Sequence, residues 1–108
     1  MGTSAHIVLV AGTEAMLDDL VDSAHFVEAK WSRFVADSDI SRINHAEGEP
    51  TEVDEVTVAL VMEMLAARRW TDGYYDPTIL PRLLAEGYTH SRGDSSRVTT
   101  LPASARWP

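Results

Sequence analysis

Residues 51–73, TEVDEVTVALVMEMLAARRWTDG, constrain the fold more than any other stretch of the chain. Asp54 is placed to cap a helix, and Gly73 sits where a left-handed C-terminal residue belongs. Between them Val56, Ala59, Leu60 and Met64 mark one apolar face, while Val58, Val61, Met62 and Leu65 mark another. A helix apolar on nearly all sides is usually one buried between other layers. It therefore demands partners. A chain of 108 residues is one domain's worth, and the rest of it supplies few of them. The second face without a partner is the pattern expected of a truncated domain.

The other elements are easier to satisfy. AHIVLVAG (residues 5–12) is a short β-branched run closed by Gly12, and it predicts a strand ending in a turn. Thr13 is then placed to cap a helix from Glu14 to about Trp31. Leu17, Leu20, Val21, Ala24, Val27 and Trp31 recur at helical spacing there, as in a surface helix with one buried stripe. SRFVADSDISRINHAEGEP (residues 32–50) is rich in Ser, Asp and Asn and reads as a loop with one helical turn around Ser38 to Asn44. Beyond Pro77, TILPRLLAEGYTH predicts a short helix from Pro81, ended by Gly87. SRGDSSRVTTLPASARWP (residues 91–108) has no apolar period and reads as a disordered or atypical tail.

Charge and composition exclude several classes of function. The net charge of -8 argues against nucleic acid, whose phosphates need a basic stripe. No window approaches the roughly 18 to 20 apolar residues of a membrane span. The chain has no cysteine, which removes both disulfides and thiolate zinc sites. MGTSAHIVLVAGTE lacks the basic start of a secretory signal, and its apolar run is short. The expected placement of the chain as given is cytoplasmic; a missing upstream segment would make it membrane-anchored or periplasmic instead.

His6, His25, His45 and His90 show no metal-ligand spacing. Arg92-Gly93-Asp94 is too short a match to carry an adhesion function. Two stretches are more informative. In WSRFVADSDISRIN (31–44), Ser32, Ser38, Ser41 and Asn44 surround the aromatic Phe34, either as a helix-capping loop or as a polar cradle with one flat apolar surface. In DGYYDPT (72–78), Tyr74 and Tyr75 offer rings to a planar heterocycle, and Asp76 is an acceptor held out of the helical region by Pro77. The same residues also suit a helix stop followed by a turn, and the residues alone leave both readings open.

Taken in order, MGTSAHIVL, WSRFVADSDISRIN and TDGYYDPTILPRLLAEGY resemble the ApbE family, the FAD:protein FMN transferases. Met1-Gly2-Thr3 matches the family's opening of the catalytic domain. Ser32-x-Phe34-x-x-x-Ser38-x-Ile40-x-x-Ile43-Asn44 matches its loop, and Gly73-x-Tyr75-Asp76-x-Thr78 matches its Gly-x-[FLY]-Asp-x-Thr element. The resemblance covers about residues 1–90 and stops before the tail at 91–108. It implies an α+β fold, the N-terminal part of an ApbE-like mixed-sheet transferase domain. It implies transfer of the FMN half of FAD to a threonine hydroxyl of a target flavoprotein, with release of AMP. It also implies FAD contacts at Met1, Phe34, Tyr74, Tyr75 and Asp76, while Ser32, Ser38, Asn44 and Thr78 shape the loops. The family's magnesium ligands would lie outside this chain, so no metal ligand and no catalytic base are assigned here. A fragment of this kind is expected to bind FAD poorly and not to turn over, and the abrupt change of composition after His90 suggests an out-of-frame tail. The alternative function is a flavin-binding or interaction module without catalysis.

Overall fold

The structure is a computed structural model that describes residues 2–102. Four helices form: α1 (Glu14–Trp31), α2 (Asp39–Asn44), α3 (Glu55–Trp70) and α4 (Leu80–Ala85). Each long helix starts at the cap its sequence supplies. Thr13 Oγ1 accepts from the Met16 N–H at 3.2 Å, and Asp54 Oδ1 accepts from the Val56 N–H at 3.1 Å. The end of α3 needs a left-handed pair, Asp72 at φ 52° and Gly73 at φ 82°, so that the Gly73 N–H can reach the Arg68 carbonyl at 2.9 Å. No helix is long and apolar enough to cross a membrane among the described residues.

One expectation changes here. The mixed sheet of the α+β reading is not formed: among the described residues the one β pairing is an antiparallel bridge between His90 and Val98. The run predicted as a strand does alternate, with Ile7 and Leu9 half-buried and Val8 and Val10 exposed. A strand is held by a ladder to a neighbour, and no described segment pairs with this one. Beyond residue 90, Ser91 donates its N–H to the Arg97 carbonyl and Thr99 to the Thr89 carbonyl, both at 2.9 Å, and the bend buries Ser91 and Thr99.

Packing inverts the usual arrangement. Among the described residues no apolar side chain is buried, whereas Ser32, Ser38, Asp39, Ser41, Thr57, Ser91 and Thr99 are. Along α3, Val56, Val58, Met62 and Leu65 remain exposed, and the helix's one fully buried residue is Thr57. The radius of gyration, 16.0 Å, exceeds the ~13 Å of a compact chain this long, as expected when helices meet mainly through polar contacts.

The centre of those contacts is Asp39, in the first turn of α2. Its Oδ2 accepts from the Thr57 hydroxyl at 2.6 Å and from the Asp54 N–H at 3.0 Å, and its Oδ1 accepts from Arg42 at 2.5 Å. Thr57 Oγ1 in turn accepts from the Trp31 indole at 3.2 Å, and Lys30 lies 3.5 Å from Asp54. The end of α1, the start of α2 and the start of α3 are thus tied at one carboxylate. The Thr57 hydroxyl, helped by the Asp54 N–H and Arg42, outweighs the effect of burial and holds the Asp39 carboxyl down at about 2.

Candidate functional site

The loop after α1 is built by its serines. Ser38 Oγ donates to the Ser32 carbonyl at 2.7 Å while accepting from the Ser41 N–H at 3.1 Å. Ser41 Oγ donates to the Val35 carbonyl at 2.7 Å, and the Phe34 N–H donates to Ser32 Oγ at 3.3 Å. Thr99, from the C-terminal bend, donates to the Arg33 carbonyl at 2.8 Å. These bonds fold the backbone into a short arch that carries Arg33 and Phe34, both half-buried.

They face a hollow of about 470 Å³. Phe34, Trp31 and Tyr88 give it aromatic surface, Gly2 and Thr3 form part of its rim, and Arg33 and Arg92 bring positive charge. The Arg33 guanidinium lies 4.1 Å from the centre of the Phe34 ring, and one of its nitrogens donates to the Tyr88 carbonyl at 2.9 Å. Burial lowers the Arg33 pKa, and its other terminal nitrogen, NH1, is shielded from solvent without a hydrogen-bond partner among the described residues. Gly2 approaches Arg92 so closely that a Cβ there would stand 3.0 Å from the Arg92 Cβ. The Gly-Thr start and the Phe34 loop, distant in sequence, therefore meet in one place.

A second hollow, of about 360 Å³, adjoins the first through Ile40 and Met64, which line both. Its walls are apolar, from Ile43, Val61, Leu65, Leu80 and Leu101, with Asn44, Pro77 and Thr78 at the edge. The third motif touches this hollow through Pro77 and Thr78. Tyr74, Tyr75 and Asp76 line neither hollow. The Tyr74 ring is 98% exposed and Tyr75 is also exposed. Asp76 forms the turn itself: Oδ1 accepts from the Thr78 hydroxyl at 2.7 Å and the Thr78 N–H at 2.9 Å, and Oδ2 lies 3.4 Å from Arg68 Nε. The same Thr78 contacts, with Arg68, lower the Asp76 pKa. Met1 lies outside the described residues.

The structure thus joins Phe34 to the Gly2-Thr3 motif and sets the Tyr74–Asp76 corner apart from them. It also brings out two residues that sequence patterns did not mark. Asp39 gave a faint signal, an acid directly after the capping Ser38. Arg33 gave none, because its value depends on a ring beside it and a carbonyl 55 residues away. Among the described residues no group of three or more His, Asp or Glu side chains is arranged to hold a metal ion.

The ApbE family model matches residues 1–106, well past residue 90 where the motifs stop. No curated protein and no solved structure matches the chain. With the match spanning nearly its whole length, the chain belongs to the ApbE family, a flavin-related transferase family.

Proposed function

We propose that this chain forms part of the FAD site of an FAD:protein FMN transferase. In that reaction a threonine hydroxyl of a target flavoprotein attacks the phosphorus of the FMN half of FAD. The new Thr Oγ–P bond forms as the pyrophosphate P–O bond breaks, the hydroxyl proton is lost, and AMP leaves. The observation that supports this reading is the convergence of Gly2-Thr3 and Phe34 on one aromatic, cationic hollow in a chain of net charge -8. A flat, electron-poor ring system packs well against Phe34, and phosphate oxygens suit the neighbouring guanidinium groups.

FAD contacts are proposed at Met1, Phe34, Tyr74, Tyr75 and Asp76. Phe34 supplies a stacking surface. Tyr74 and Tyr75 offer rings from the corner after α3, and Asp76 holds that corner in shape through Thr78. Magnesium would neutralise the pyrophosphate in the full reaction. Its ligands are proposed to lie outside this chain, and no step of the transfer is assigned to these side chains.

Titration of FAD into the chain, followed by flavin fluorescence, tests the binding reading, and AMP release with a threonine-bearing acceptor and magnesium tests the transfer. Saturable quenching with magnesium-dependent AMP is the expected result for the complete activity. Quenching without AMP release places the chain with flavin-binding modules that lack catalysis. No change in flavin fluorescence refutes both.

A further inference from the structure

The Arg33 guanidinium is held by the fold yet incompletely used. Its plane is fixed by the Phe34 ring at 4.1 Å and by the bond to the Tyr88 carbonyl at 2.9 Å. NH1 remains a shielded donor without a partner among the described residues. A buried N–H is stable when an acceptor meets it, and a guanidinium favours an oxyanion over a neutral oxygen. The surroundings agree with that preference. Arg92 and His90 line the same hollow and no carboxylate among the described residues does, Glu28 and Asp94 lining instead the neighbouring hollow beyond Gly2 and Thr3.

We infer that Arg33 is a phosphate-positioning residue: its NH1 donates to a phosphate oxygen of the ligand seated against Phe34, with Arg92 as the second cation at the rim. The inference rests on the flavin reading of this hollow and deepens it, because it assigns the ligand's charged part to a particular side chain. Ring stacking alone treats riboflavin, FMN and FAD alike. An Arg33–phosphate contact separates them.

Riboflavin, FMN and FAD, which share one ring system and differ in phosphate, are titrated into the full chain by fluorescence. The native chain is expected to bind FMN roughly tenfold more tightly than riboflavin, the scale of one charge-assisted hydrogen bond. Arg33→Gln brings that ratio close to one, whatever it does to the affinity for the ring system itself, and Arg92→Gln reduces it partly. Loss of the Tyr88 tether could unfold Arg33→Gln, so inorganic pyrophosphate is also added to the native chain. Competition against FMN but not against riboflavin supports the assignment, whereas equal competition, or none, overturns it. Equal binding of all three flavins by the native chain, or an FMN preference that survives in folded Arg33→Gln, overturns the role of Arg33 and leaves the flavin reading standing. Failure to bind any of the three overturns both.

Discussion

Replacing Asp39 with Asn keeps the shape of the most connected side chain among the described residues and removes its charge. Asp39 is 1% exposed and accepts from the Thr57 hydroxyl, the Asp54 N–H and the Arg42 guanidinium. An amide offers one acceptor oxygen and presents two N–H donors in place of the other. The least unfavourable arrangement turns the oxygen toward Asp54 and Thr57 and points the NH₂ at Arg42, whose side chain is 44% exposed and can swing into water. The charge-assisted bond to Arg42 is then lost and the remaining two weaken, a cost of about 2 kcal/mol. The same contacts hold the Asp39 carboxyl down from 3.8 to about 2, a shift of the same order, about 2 kcal/mol. The sign is fixed by the direction of that shift. The folded state binds the proton more weakly than the unfolded state, so the contribution is complete above pH 4 or so and disappears as pH falls through about 2. Urea unfolding followed by circular dichroism at 222 nm, at neutral pH and near pH 2, measures both parts. Asp39→Asn should be less stable than the native chain by about 2 kcal/mol at neutral pH and nearly equal to it near pH 2. A stability difference that is the same at both pH values would refute the reasoning, because the carboxylate's ionisation would then contribute nothing.

Ser38→Ala removes the N-cap of α2 together with the bond to the Ser32 carbonyl, and should cost about 1–2 kcal/mol in the same urea measurement. Gly73→Ala should cost about 1 kcal/mol through its φ of 82° alone, since an added Cβ meets nothing within 4 Å; an unchanged midpoint would mean the left-handed turn is not maintained in solution. Phe34→Ala and Tyr74→Ala separate two of the five proposed flavin contacts. The first should weaken FAD binding about tenfold. The second should leave stability unchanged, because its ring is almost wholly in water, and weaken FAD only if the corner after α3 reaches the ligand.

Local structure was legible because local rules determine it. Thr13, Ser38 and Asp54 each stand one residue before a helix and each accepts a backbone N–H from its first turn, while Gly73 and Gly87 end α3 and α4 with positive φ. These signals span four residues or fewer. The Asp39 hub was not legible in the same way, because its partners are 3, 15 and 18 residues away and all of them are ordinary surface types. Residues 5–12 show the opposite failure. The β-branched run predicts a strand, but a sheet needs a second strand, and a pattern within one segment says nothing of its neighbour. The site divided along the same line. Phe34 shares a hollow with Gly2 and Thr3, a juxtaposition no local pattern announces, while the polar bonds of the Tyr74–Asp76 corner stay within residues 68–78.

The polar hub and the hollow are mechanically one unit. Asp39 fixes the first turn of α2. Ser38, its neighbour, holds the Ser32 carbonyl, and Ser32 Oγ receives the Phe34 N–H. Trp31 links them from the other side, donating to Thr57 beneath while its ring lines the hollow above. Hydrogen bonds of this kind fix direction well but contribute little net stability, because water competes for every partner in the unfolded chain. Apolar burial ordinarily supplies the larger share, and here it is only partial, with both faces of α3 still open to solvent. The positions of Phe34 and Arg33 are therefore specified by groups that add modestly to the free energy of folding. Loosening at Asp39 should reach the hollow before it unfolds the helices.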